Sequence, residues 1–291
     1  MGDWRTCHPD THVMTFSPDT FLQELRDELK SNRLVLPTLP NIATEALLVI
    51  DDPNSSGQDL GRVIGKDAAV TARLIRYANS AAIGGITPVK AIQPAITRIG
   101  FARVKNAVYA ISMQDVFRSS VHELEQEMKN LWEHSVRTAA IAAELALTYT
   151  ELPPDVAMVA GLTHDVGKIP IIVKATREPE LIENPPLLQA VLRRIHSSLG
   201  ASILRRWNFA PELVTVALEH EDLVMQRGNE PVDLLDVVQL ANILSHRGNR
   251  HPYNHINLRK VPAVKRLGLT VQDDVPLIDM ERVEDNVQSM L

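Results

Sequence analysis

The chain of 291 residues is short of cysteine, aromatic rings, long apolar runs and positive charge, and each shortage excludes something. Cys7 is the only cysteine, so no disulfide can form within the chain, which suits a reducing compartment. Aromatic residues make up 4% of the sequence, too few for a series of stacking platforms along single-stranded nucleic acid. Lys and Arg number 30 against 36 Asp and Glu, and the formal charge of −6 argues against broad electrostatic binding to nucleic acid. Such a balance is ordinary for a solvated surface. No run of about 18 apolar residues occurs, so no membrane-spanning helix is expected. The opening MGDWRTCHPDTHVMTF lacks the basic start and apolar stretch of a secretory signal, and the expected location is the cytoplasm.

The residues present support a sizeable core, with 45% hydrophobic and 23% charged. Apolar positions recur at helical spacing almost throughout. Ser17-Pro18 supplies a cap and a first-turn proline, and FLQELRDELK then sets Phe21, Leu22, Leu25 and Leu29 on one face. The prolines of LVLPTLP (34–40) hold that stretch extended. Helices are predicted at 42–50 and 68–82, separated by the turn-rich DDPNSSG (51–57). After the break at IGGITPV (83–89), AIQPAITRI and FARVKNAVYAISMQDVF complete an N-terminal set of about five helices. A long helix is predicted from Ser120 toward Thr150, with Glu123, Glu125 and Glu127 near its positive end. Further helices are predicted at 156–164, 187–197, 199–207, 211–221 and 232–247. Strand-like alternations are too short and too few for a sheet, so the fold class is all-α. The expected divisions are a tail at 1–17, helical parts at 18–120 and 121–250, and a C-terminal extension at 251–291.

The chain has 10 histidines, and they differ in what they offer. His8 and His12 lie in the tail, and His122 stands at a helix start. His246, His251 and His255 flank a Gly/Asn/Pro loop, where solvation is the plain explanation. Four others stand in helical, apolar surroundings: His134 in LWEHSVRTA, His164 in LTHDVGK, His196 in RRIHSSLGA and His220 in ALEHED. Imidazole nitrogens and carboxylate oxygens are the ligands of zinc, iron, manganese and similar divalent ions. His164 and Asp165 end an apolar helix. Neighbouring helical residues point about 100° apart, yet both can reach one ion placed over a helix end. His134 would come from the long helix packed alongside. A lone histidine on an apolar face is more often a hydrogen-bonded core residue. The adjacent His164-Asp165 pair, followed by Val166-Gly167-Lys168, favours a shared site.

His134, with His164-Asp165 about thirty residues later, resembles the HD superfamily of metal-dependent phosphohydrolases. That resemblance implies a helical site built from a histidine, the His-Asp pair and a final aspartate. The bound metal polarises a phosphoryl oxygen and lowers the pKa of its water. The final aspartate belongs to an apolar-Ala-Asp-apolar-Leu segment; here LANILS (240–245) presents Asn242, a neutral amide. His196 and His220 resemble the extra histidines of the cyclic-di-GMP-cleaving HD-GYP branch. The second histidine of that branch's tandem pair falls at Glu221, and DLVMQRG stands where its GYP would follow.

A second resemblance is more extended and covers about residues 20–245. Leu36-Pro37, Leu39-Pro40, Asp52-Pro53, Ser56, Asp67 before TARLIRYANSA, Gly84, and the continuation ITPVKAIQPAITRIGFARVKNAV resemble the HDOD domain, the HD-related output domain of bacterial signalling proteins. Ala68 stands where such domains commonly have proline. This implies a multi-helical HD-superfamily-like bundle with an additional N-terminal helical subdomain. It also implies a regulatory module that has largely lost hydrolysis and works through a signalling protein or a small-molecule ligand. The alternative is a metal-dependent phosphohydrolase acting on a nucleotide or phosphate ester, with Asp165 and Lys168 as its catalytic groups. Lys168 has two readings, a stabiliser of phosphate charge or a helix-terminus cation paired with Asp165. The metal set is His134, His164, Asp165, His196 and His220. Its expected occupant is one divalent ion (iron, manganese, zinc or nickel), or none.

Overall fold

The computed structural model describes residues 16–80, 83–117, 124–225, 230–269 and 278–290. Caps written in the sequence start its first helices. Ser17 accepts a hydrogen bond from the Thr20 amide at the head of α1 (Pro18–Lys30). After α2 (Asn41–Asp51), Ser56 and Asp59 form a reciprocal capping box that opens α3 (Gly57–Ile64). Asp67 accepts from the amides of Ala69 and Val70 and opens α4 (Ala68–Ala78). At its end, the Asn79 side chain bonds both the carbonyl and the amide of Val89, each at 2.8 Å, closing the intervening loop. Gly100, at φ 89°, separates α5 (Ile92–Ile99) from α6 (Phe101–Val116), a backbone angle that side-chain-bearing residues avoid.

The second half holds α7 (Glu125–Tyr149), α8 (Pro154–Thr163), α9 (Lys168–Ala175), α10 (Pro179–Glu183), α11 (Pro185–Arg206), α12 (Pro211–Glu219) and α13 (Leu234–Ser245). Then come α14 (Pro262–Arg266) and α15 (Met280–Met290). No strand occurs among the described residues, so the chain is all-α. The expected start of the long helix at Ser120 lies outside the described residues, as does the 119–121 boundary. Two helices expected at 187–197 and 199–207 are the single α11. Gly200 costs that helix some propensity, and a β-carbon there would touch the Gly167 backbone at ordinary contact distance, 3.4 Å from its nitrogen. α3, α9, α10, α14 and α15 stand outside the helices expected from the sequence; α9 is a short IPIIVKA run whose β-branched residues disguise a helix.

Two apolar cores organise these helices. The smaller gathers Ala46, Leu60, Ile64, Leu74, Ile96 and Val104 from α2–α6. The larger surrounds α7, α8, α11 and α13, and it also takes in Phe21, Leu22 and Leu25 of α1. Ion pairs Asp19–Arg194 at 2.7 Å and Glu28–Lys174 at 2.7 Å tie α1 down on that side. α6 is the shared spine, sending Val104 and Val108 into one core and Tyr109 and Met113 into the other. Pro154–Ala175 is apolar enough by length and composition to cross a membrane, yet 83% of its apolar window is buried inside the fold. The turn at 164–167 also divides it into α8 and α9.

Two glycines set how closely the site-bearing helices approach. A β-carbon on Gly161 would stand 2.8 Å from the Ala139 Cα, so α8 can lie directly on α7 only with glycine there. A β-carbon on Gly167 would stand 1.9 Å from the His196 carbonyl oxygen and 2.4 Å from the Gly200 amide. The glycine of HDVGK therefore lets the turn after Asp165 press against α11.

Candidate metal centre

These contacts bring side chains from four helices to one point. His134 projects from α7; His164 closes α8, with Asp165 directly after it; His196 stands in α11; His220 closes α12. His164, His196 and His220 have no exposed surface, and Asp165 has 1%. The Asp165 carboxylate divides its oxygens between two groups. Oδ2 lies 3.5 Å from His134 Nε2 and 3.4 Å from His164 Nε2. Oδ1 lies 3.3 Å from His196 Nε2 and 3.5 Å from His220 Nε2. Within each group the paired imidazole nitrogens are close, 3.2 Å for His134–His164 and 3.3 Å for His196–His220.

The far nitrogens decide the tautomers. His164 Nδ1 donates to the Gly161 carbonyl at 2.6 Å, and His196 Nδ1 to the Leu192 carbonyl at 2.9 Å. His220 Nδ1 donates to the carbonyls of Ala217 at 3.1 Å and Val216 at 3.2 Å. Ser245 spends its hydroxyl proton on the Asn242 carbonyl at 2.7 Å, so its oxygen accepts from His134 Nδ1 at 3.3 Å. With every Nδ1 protonated, each neutral ring turns a bare Nε2 lone pair inward. Two bare nitrogens at 3.2–3.3 Å repel each other unless a cation lies between them. Donors bound to a divalent ion at about 2.0–2.2 Å stand about 3.0–3.6 Å apart in an octahedral or tetrahedral shell, so these spacings fit one. Asp165 Oδ1 is buried without a hydrogen-bond donor, as a ligand oxygen would be. The residues therefore fit a divalent ion, as two triads sharing Asp165.

Electrostatics support the same protonation states. Burial holds His134 down to about 4, against a counter-pull from Asp165. Burial likewise takes His196 to about 3. Burial opposes ionisation of Asp165, but Lys168 and the surrounding imidazoles hold its carboxyl well below the usual range. Lys168 Nζ sits 2.5 Å from Asp165 Oδ2, in the ion-pair geometry of its second reading. Asn242 is buried with its Oδ1 unpartnered, and its backbone carbonyl anchors Ser245. Glu221 Oε1 lies 3.6 Å from His196 Nε2, so it borders the site.

Solvation does not describe His246 and His251. His246 stacks on His134 with ring centroids 4.5 Å apart, and His251 stacks on His246 at 3.7 Å. Tyr253 closes the stack edge-on, 4.7 Å from His251. Arg247 folds this loop back by bonding the carbonyls of Asn254 and Ile256. No local pattern marks such a cap, because its partners lie more than a hundred positions upstream. His255 is exposed, while His8, His12 and His122 lie outside the described residues.

The profile of the HDOD domain family matches residues 36–223. A candidate metal-dependent phosphohydrolase from Shewanella amazonensis has a solved structure 27% identical to this chain. It superposes with a TM-score of 0.79, covering 94% of this chain and 99% of that one. The solved structure of an HDOD domain protein of unknown function from Geobacter sulfurreducens, 22% identical, superposes with a TM-score of 0.63 over 89% and 92%. An uncharacterized protein of Treponema pallidum is 25% identical over 236 residues, 76% of this chain and 44% of its own length. The chain spans less than half the length of the curated relatives it matches.

Proposed function

This chain belongs to the HDOD domain family, and from that premise we propose that it is a bacterial signalling module, working in the cytoplasm, that binds a partner protein or small ligand and does not turn over phosphate esters. One observation supports this above others. Four of the five donors are buried, His134 keeps 14% of its side chain exposed, and Lys168 already seats its ammonium on Asp165 Oδ2. An ester would need an open face on the ion and room for an attacking water, and the burial of four donors, with Lys168 on the shared carboxylate, works against both. Asn242 adds to the same reading, since an amide at that place contributes no charge to a site for a dication.

His134, His164, Asp165, His196 and His220 would hold the ion, with iron, manganese, zinc and nickel as the candidates. When bound, such an ion polarises a phosphoryl oxygen and acidifies water. The protein's own groups fix the donors: the Gly161, Leu192, Val216 and Ala217 carbonyls and the Ser245 hydroxyl set each ring's orientation. Lys168 offsets the charge of the buried carboxylate.

A second reading, a metal-dependent phosphohydrolase, is favoured by the four inward lone pairs and by the likeness to the Shewanella protein. Metal analysis of the purified full chain, with phosphatase and phosphodiesterase assays in added manganese, iron or nickel, separates the two. Bound metal without turnover supports the signalling reading. Turnover that disappears in Asp165→Ala overturns it in favour of hydrolysis. Metal-free, inert protein would make the histidine cluster purely structural and leave the signalling role standing.

A further inference from the structure

Between the two cores lies a cleft of about 440 Å³ that shares no residue with the metal centre. Ala143 and Leu147 on its wall stand nine and thirteen residues along α7 from His134, about 14–20 Å of helix rise. Four arginines from three helices converge on it: Arg73 and Arg76 of α4, Arg103 of α6 and Arg282 of α15.

Two buried acids also face the cleft, and both are engaged. Asp155 accepts from Asn106 at 2.7 Å and lies 3.6 Å from Arg103 Nε. Glu144 accepts from Thr148 at 3.1 Å and lies 3.5 Å from an Arg282 nitrogen. At those separations each acid orients its arginine while leaving guanidinium N–H groups free to donate. Arg73 gives one N–H to the Ile111 carbonyl at 3.2 Å. Arg76 is exposed, and its side chain has no hydrogen-bond or ion-pair partner among the described residues. Four guanidinium charges against two carboxylates leave a positive excess in a concave site on a chain of net charge −6.

Guanidinium forks match the oxygens of phosphate, and Ile111, Leu147 and Met158 give the cleft an apolar stretch of wall beside the polar Gln114 and Asn286. Tyr77 adds a hydroxyl donor; burial, with Asp155 adding to it, pushes its pKa up to about 12, so the phenol stays protonated. The volume is that of a small-molecule site. We propose that this cleft binds a small phosphorylated ligand with a flat apolar body, of the nucleoside phosphate kind, its phosphate on the arginines and its ring against the apolar wall. The proposal deepens the signalling reading, on which it rests for its purpose. α4 comes from the side of the smaller core, α7, α8 and α15 from the larger, and α6 belongs to both, so a ligand held by both sides couples them.

Isothermal titration of the full chain in EDTA, with AMP, GMP, ADP and GDP as probes and adenosine and inorganic phosphate as their halves, tests this. At least one nucleotide should bind about tenfold or more tighter than either half. Arg76→Gln should weaken it about tenfold, a change of about 1.4 kcal/mol. Because Arg76 is exposed and unpaired, that variant should keep the wild-type melting temperature. Absence of binding by every probe, unchanged affinity in Arg76→Gln, or inorganic phosphate binding as tightly as a nucleotide would overturn the proposal. Binding lost in EDTA would also overturn it, by placing the ligand on the metal centre. Metal content and turnover are measured separately, so the signalling reading and this cleft can fail independently.

Discussion

Asp165 gives one oxygen to each half of the histidine cluster, and that division makes it the residue on which the centre depends. Asp165→Asn keeps the shape and removes the charge, so bound metal should fall at least about tenfold, read by elemental analysis after dialysis. Retention of the wild-type metal content would contradict its place in the shell. Acid should act on the metal-free fold in a defined direction. His134 and His196 are held near 4 and 3, against 6.5 for a free histidine. Below about pH 6.5 the unfolded chain takes up protons that the fold refuses, so stability falls with pH, by up to about 1.4 kcal/mol per unit per histidine. Asp165, also depressed, extends the loss at still lower pH. The melting temperature of metal-free protein should be level between about pH 7 and 8 and fall steadily from about 6.5 to 4.5; a rise on acidification would contradict the assigned tautomers. The five proposed ligand residues, which the fold brings together, were singled out in the sequence by residue type and the adjacent His-Asp pair, with His196 and His220 added by resemblance. Ser245 and the His246–His251 stack were not, because their meaning comes from a loop folding back on α7.

At the scale of elements, glycines and one buried ion pair hold the helices around the centre. Gly167→Ala forces a β-carbon against backbone on two sides, so it should cost at least about 2 kcal/mol in urea unfolding and reduce metal retention as His196 shifts. A stable variant that retains metal would show that α11 can give way. Arg266 reaches Asp236 of α13 with Nε at 2.8 Å and a second nitrogen at 2.9 Å, and it also bonds the Pro231 carbonyl at 2.7 Å. Arg266→Met strands a buried carboxylate and should cost about 3–5 kcal/mol, read from the urea midpoint. A cost below about 1 kcal/mol would mean that solvent reaches Asp236. The start of α1 was readable from its Ser17 cap, whereas α3 was missed although Ser56 and Asp59 cap it. Continuity was less readable. Gly200 interrupts the pattern of α11 without interrupting the helix, because the packing of the buried residues on either side of it outweighs local propensity.

Across the whole molecule, two cores meet along α6, and α1 crosses to the far one. The sequence shows that α1 has an apolar face but not what the face rests on, so its pairing with the larger core emerged only in three dimensions. The arginine cleft is of the same kind, assembled from helices distant in the chain and invisible to any local pattern. What was legible at this scale is the all-α class and the family pattern, expected over about residues 20–245 and matched by the family profile over 36–223. The deciding measurement is the hydrolysis rate of bis(p-nitrophenyl) phosphate by the full chain loaded with a measured equivalent of manganese, beside Asp165→Asn treated identically. The signalling reading expects the two rates to coincide. A metal-dependent wild-type rate at least about tenfold above the variant would contradict it and make this centre an active phosphohydrolase.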